Sequence, residues 1–106
     1  MKQFTINEFV LKIGNNANEN DKLLNEANQN DIWFHLENNP SPHGILFVQE
    51  DVPNSNTIFQ RASYIKEYSK QKNLKNVKII YTQRKFIKKT KTIGTVIVSK
   101  KNIIKV

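Results

Sequence analysis

Residues 31–36, Asp-Ile-Trp-Phe-His-Leu, alternate in a way that fits a strand: Ile32, Phe34 and Leu36 fall on one face, Asp31, Trp33 and His35 on the other. The apolar face needs a core. The opposite face carries an acid, an indole and an imidazole in a row, using the chain's one Trp and one of its two His. The other His, His43, closes the run Pro40-Ser41-Pro42-His43 directly before Gly44. Same-face neighbours on a strand lie roughly 6.6 to 7 Å apart, so Asp31 and His35 are on the order of 13 Å from each other. An in-strand Asp–His catalytic dyad is therefore excluded.

Around this strand the periodicity predicts a complete set of elements. Phe4 to Ile6 and Phe9 to Ile13 form an opening hairpin across Asn7 and Glu8, and Gly14 ends it. Leu23, Leu24 and Ala27 give a short helix one apolar stripe, which Asn28, Gln29 and Asn30 terminate. Residues 44–48 return beside 31–36. A polar linker over 51–56 follows, with Ser55 or Asn56 as the cap of a helix over 57–70. In that helix Ile58, Ala62, Ile65 and Ser69 face the core with Phe59 beside them, and Arg61, Lys66, Glu67 and Lys70 face solvent. Residues 77–82, 84–87, 94–98 and 102–106 read as strands. The segment 99–101 is the tight turn of a last hairpin, and 88–91 a basic loop. The expected fold class is α+β, a mainly antiparallel sheet with two helices in a single domain spanning 1–106.

Charge is segregated along the chain. Residues 1–60 hold Lys2, Lys12 and Lys22 against eight carboxylates, whereas residues 61–106 hold 14 Lys or Arg against Glu67 alone, for a net charge of +8. A genome rich in A and T explains abundant Lys, Ile and Asn, but not their separation. An anionic partner does. The absence of cysteine excludes a disulfide framework, a zinc ribbon and a thiol nucleophile, and fits a cytoplasmic location. Asn7 and Glu8 interrupt the first apolar stretch, so neither a targeting nor a membrane segment is expected.

Few catalytic chemistries survive. Three glycines, at 14, 44 and 94, cannot build a nucleotide-cradling loop, and no Gly-x-Ser-x-Gly is present, so no cofactor is expected. Asp31, His35 and His43 are a sparse donor set without a helical His pair, and no metal is expected. Trp33 has two readings: a core residue beneath a helix, or a flat face for an unstacked base. His35 and His43 are candidates for solvent-facing recognition. Arg84, Lys85, Lys88, Lys89 and Lys91, anchored by Phe86, would meet phosphates, and lysines of this kind also keep an edge strand from aggregating.

Assembled, these residues resemble the NFACT-R domain family. The resemblance rests on Gly14-Asn15-Asn16 with 18–21, on Asp31-Ile32-Trp33-Phe34-His35 as Asp-x-Trp-x-His, and on Pro40-Ser41-Pro42-His43 as Pro-Gly/Ser-x-His. It continues through residues 62–69, 77–82, and 86–89 with Gly94. It implies an RNA-binding module for tRNA or ribosomal RNA. Asp31, Trp33, His35 and His43 would be its signature residues, Ser41 part of the same loop, and Lys88 and Lys89 part of the basic segment. Asn15 stands where many members have Arg, and Gly44 where a β-branched residue is usual. The chain also lacks the other domains of the large ribosome quality-control factors, so it should not extend tails on stalled ribosomal subunits unaided. The expectation is a non-enzymatic RNA-binding adaptor in ribosome quality control or RNA modification. Three alternatives stand beside it: an adaptor docking to ribosomal or modification proteins through Trp33, a DNA-binding module, and a small enzyme using His35 and His43 as acid and base.

Overall fold

A computed structural model describes residues 1–6, 9–48 and 53–106. The opening hairpin forms as expected, from β1 (Lys2–Ile6) and β2 (Phe9–Ile13), with Ile6 opposite Phe9. Its turn at Asn7 and Glu8 lies outside the described residues, as does the 51–52 part of the predicted linker. The first helix, α1 (Ala17–Glu26), starts where the Asn16 side chain accepts the Glu19 N–H at 2.9 Å. Next come β3 (Ile32–Leu36), β4 (Gly44–Phe47), α2 (Ser55–Glu67) and β5 (Lys78–Gln83), then β6 (Ile87–Lys89), β7 (Val96–Val98) and β8 (Asn102–Lys105).

Six strands form one sheet in the order β1-β2-β4-β3-β5-β8, with every neighbouring pair antiparallel. The mainly antiparallel α+β fold with two helices is thus as the sequence predicts. Its centre is β3, covered on both faces. Ile32, Phe34 and Leu36 pack with Ala62 and Ile65 of α2, whereas Trp33 packs with Leu23 and Leu24 of α1, Ile45 and Ile87. Gly44 belongs to the first of these layers: a Cβ there would overlap the Ile65 side chain, so the larger residue of α2 fills the space a branched residue would need.

The C-terminal strands pair differently from expectation. Residues 94–98 and 102–106 do not form a hairpin with each other; β7 pairs with β6 as a two-stranded ribbon, while β8 continues the main sheet beside β5. Alternation shows which side chains share a face, not which strand lies next door. Residues Arg84–Phe86 form a 3₁₀ turn rather than a strand, and Lys88 and Lys89 belong to β6 rather than to a loop. In α2 the cap is Asn54, whose side chain accepts the Thr57 N–H at 2.8 Å, one residue ahead of the predicted Ser55 or Asn56. The helix ends at Glu67, where the Ser69 hydroxyl takes up the Lys66 carbonyl at 2.7 Å. Ile58, Ala62 and Ile65 face the core as expected, but Arg61, expected at solvent, is only 2% exposed, and Phe59, expected beside the core, is 45% exposed.

The ribbon closes over the α1 side of the sheet, bringing Ile87, Val96 and Val98 to Trp33. Its far loop touches α1 at Gly94, whose φ of +85° lies in the region that side chains avoid, and a Cβ there would stand 3.0 Å from that of Ala17. Gly94→Ala should therefore lower the unfolding free energy by about 1–2 kcal/mol from backbone strain alone. Urea unfolding of the variant measures this, and an unchanged midpoint would show that the positive φ at Gly94 imposes no strain on a side chain.

Candidate nucleic-acid interface

The central ring cluster follows from the way β3 emerges from beneath α1. Trp33 lies fully under the helix and is 2% exposed. His35, two residues further on, is half-buried and lies nearly parallel to the indole, with ring centroids 5.6 Å apart and planes 10° off. His43 enters from the loop before β4 and stands edge-on to both, 5.5 Å from Trp33 and 5.1 Å from His35.

The backbone delivering His43 is held from three sides. Its N–H donates to the Asn20 side chain at 3.3 Å, and its carbonyl accepts the Gly14 N–H at 3.0 Å. Ser41 Oγ accepts the Leu36 N–H at 3.0 Å while donating to the Pro42 carbonyl at 2.9 Å. Ser41 thus fixes the loop against the end of β3. Asn20, 8% exposed, lies in the 18–21 segment that carries the resemblance but is not among the predicted site residues.

Hydrogen bonding sets the state of both imidazoles. An indole N–H only donates, so Trp33 Nε1, 3.3 Å from His43 Nδ1, requires that nitrogen to accept and puts the His43 proton on Nε2. A carbonyl only accepts, so His35 Nδ1, 2.6 Å from the Leu36 oxygen, carries its proton and leaves Nε2 a lone pair. Burial pushes the His43 pKa down to about 4, helped by the adjacent His35, and burial lowers His35 as well against the pull of the Leu36 carbonyl. At neutral pH the pair is therefore uncharged and offers one donor and one acceptor.

Both rings line a groove of about 430 Å³. Trp33, Ile80, Val96 and Val98 make its apolar wall, and Asn38, Asn39 and Pro40 its polar rim. The Val96 and Val98 contribution was not foreseen, because it depends on the ribbon folding back. Among the described residues no group of three or more His, Cys, Asp or Glu side chains could hold a metal ion.

The remaining predicted residues divide into those that hold the structure and those that face outward. Asp31 is 2% exposed, and its carboxylate accepts the Asn28 N–H at 2.8 Å and the Val48 N–H at 3.0 Å, joining the end of the α1 loop to the end of β4. Arg84 spans α1 and β6, donating through Nε to the Leu24 carbonyl at 2.8 Å and through Nη1 to the Ile87 carbonyl at 2.7 Å. That guanidinium satisfies a helix-end carbonyl. Lys89, itself exposed, is paired with Asp21 at 3.0 Å and Asn25 at 2.7 Å. Lys85, Lys88 and Lys91 are exposed, and Lys85 and Lys100 each sit 5.5 Å from the Phe86 ring. The structure therefore brings His35, Ser41 and His43 together beside Trp33, and sets the outward lysines on the ribbon and its flanks. At 2% exposure Trp33 fits its core reading rather than that of an open stacking face, and its N–H holds His43.

The neutral His43 makes stability pH-dependent. Its folded value of about 4 lies below the ordinary 6.5, so between those pH values the unfolded chain binds a proton that the folded chain refuses. Stability is thus fully present above pH 6.5 and falls as the pH drops towards 4, by on the order of 3 kcal/mol in total. Chemical unfolding at pH 7.5, 6, 5 and 4.5 measures this. In His43→Gln the same series should be flatter across that window; an equally steep fall would assign the effect to other groups.

Three comparisons bear on this geometry. The NFACT protein RNA binding domain profile matches residues 2–102. The Rqc2 homolog RqcH of Bacillus subtilis is 31% identical over 81 residues, which cover 76% of this chain and 14% of that protein. The solved C-terminal part of the fibronectin/fibrinogen-binding protein from Streptococcus suis superposes with a TM-score of 0.85 at 20% identity, over 93% of this chain and 41% of that one. The chain thus spans a small part of the curated relative it matches, and the Streptococcus suis likeness is one of fold. With the profile spanning nearly every described element, the chain belongs to the NFACT protein RNA binding domain family.

Proposed function

We propose that this chain is a non-catalytic RNA-binding module that takes an unpaired base into the His35/His43 groove and holds the flanking phosphates on lysines of the C-terminal half. The observation that carries this reading is the uncharged, tautomer-fixed imidazole pair lining a groove of about 430 Å³. Neutral rings suit a base better than a phosphate: His35, backed by Trp33, is a flat platform for stacking, and His43 Nε2–H can donate to the edge of the stacked base. The phosphate contacts fall to Lys85, Lys88 and Lys91, which point outward, while Asp31, Trp33, Arg84 and Lys89 hold those groups in place. Family membership and the kinship with the Rqc2 homolog support tRNA or ribosomal RNA as target, in a cytoplasmic adaptor of ribosome quality control.

A second reading, docking to a ribosomal or RNA-modification protein, draws on Ile93 and Ile97 of the ribbon side, 55% and 59% exposed. It requires no base in the groove and leaves nucleic-acid binding to charge alone, in which case DNA serves as well as RNA.

Labelled tRNA titrated over a range of salt, with duplex DNA of equal charge as competitor, tests both. His35→Ala should weaken binding by roughly 5- to 100-fold, the range of one lost base stack. Lys88→Glu with Lys91→Glu should reduce affinity and flatten the salt dependence, since each lost phosphate contact removes about 0.7 to 0.9 from the slope. Equal displacement by DNA, together with no effect of His35→Ala, would sink the base-groove reading and favour protein docking.

A further inference from the structure

We propose that a second groove, across the ridge formed by Pro40, Ser41 and Pro42, seats the sugar and phosphate of the nucleotide adjoining the base held by His35 and His43. This inference rests on the RNA-binding reading above and adds a site and a strand path to it. The second groove measures about 470 Å³, and Asn39 and Pro40 line both grooves, so the two are neighbours with one loop between them. Two prolines stiffen that ridge, and the Ser41 hydroxyl bonds it to β3 and to its own backbone.

The two grooves differ in chemistry in the way a nucleotide does. The first offers aromatic and apolar surface with two neutral imidazoles, suited to a base. The second offers amides at Asn15, Asn16 and Gln71 and the exposed cation Lys70, with no carboxylate in its lining. Asn16 turns its amide oxygen to the Glu19 N–H, which leaves its NH₂ to donate outward. The Ser69 hydroxyl is anchored on the Lys66 carbonyl and accepts the Gln71 N–H at 3.1 Å, so the turn carrying Lys70 is shaped before any ligand arrives. Amide and ammonium donors on a preformed turn are the groups that meet ribose and phosphate oxygens. Lys72 and Lys75, one and four residues after Gln71, are exposed as well.

A strand crossing the ridge must be single-stranded there, because a base turned into the first groove has no pairing partner. Binding of an eight-nucleotide single-stranded RNA, read by fluorescence anisotropy in the full chain, tests the path. Four proteins are compared: wild type, His35→Ala, Lys70→Glu with Gln71→Ala, and Lys101→Glu as a charge-matched control elsewhere. In parallel, the Trp33 indole N–H resonance reports filling of the first groove by a nucleoside monophosphate.

The expected result is an octamer affinity about tenfold lower for the Lys70→Glu, Gln71→Ala protein, against about threefold or less for Lys101→Glu. The monophosphate should still shift the Trp33 signal in both. An octamer loss no larger than that of Lys101→Glu overturns the second groove, and if His35→Ala weakens binding in the same series the RNA-binding reading survives. No octamer binding by wild type, or none that depends on His35, overturns both.

Discussion

A buried indole N–H must find an acceptor, and Trp33 finds it in a histidine delivered by a loop ten residues further along the chain. Much follows from that one contact. Trp33 sits in the middle of the sheet's central strand with α1 and the ribbon above it, so its N–H has no water to turn to. His43 can accept only while neutral at Nδ1, which makes its uncharged state part of the core. The loop before β4 must then pass close to the end of β3, and Ser41, Asn20 and Gly14 hold it there. The groove is what remains between that loop and the ribbon. Core packing and the shape of the candidate site are consequences of the same bond.

Much of this was legible in the sequence. Period-two alternation located β3, and the apolar and β-rich runs located β2, β4 and β5, each within a residue or two. What pattern cannot carry is partner choice. β7 and β8 are both short apolar runs in the sequence, yet one strand folds onto α1 as a ribbon and the other extends the sheet. The difference comes from the 3₁₀ turn at Arg84–Phe86, which redirects the chain out of the sheet plane and which a run of mixed charge and apolar residues does not announce. The same limit hid the second wall of the groove. Its histidines were visible in a single motif, while Val96 and Val98 reach it from some fifty residues away.

Charged residues show why composition alone misleads about a surface. Arg61, Arg84 and Lys89 all belong to the basic half of the chain, yet Arg61 is buried, Arg84 holds two carbonyls and Lys89 pairs with Asp21 of the acidic half. Lys12 pairs with Glu26 within the acidic half. Part of the sequence-level separation of charge is thus cancelled in space across α1. Exposed pairs of this kind add little stability, on the order of 1 kcal/mol or less, but they remove cations from the set free to meet a polyanion. The lysines left outward lie on the ribbon, beside β8 and after α2, so a ligand would meet positive charge on several sides of the groove but none inside it.

That division separates affinity from selectivity. Lysines on flexible stems attract any polyanion and lose their hold as salt rises, whereas a rigid neutral groove responds to a base and little to ionic strength. A charged His43 would blur this difference, drawing phosphate into the place of the base and leaving the Trp33 N–H facing a donor. Burial prevents it by making protonation costly across the neutral range. The covering of Trp33 by α1 and the ribbon therefore keeps the histidines uncharged as well as fixed; on the proposed reading, ionic contacts then stay at the rim while shape and hydrogen bonding decide what enters.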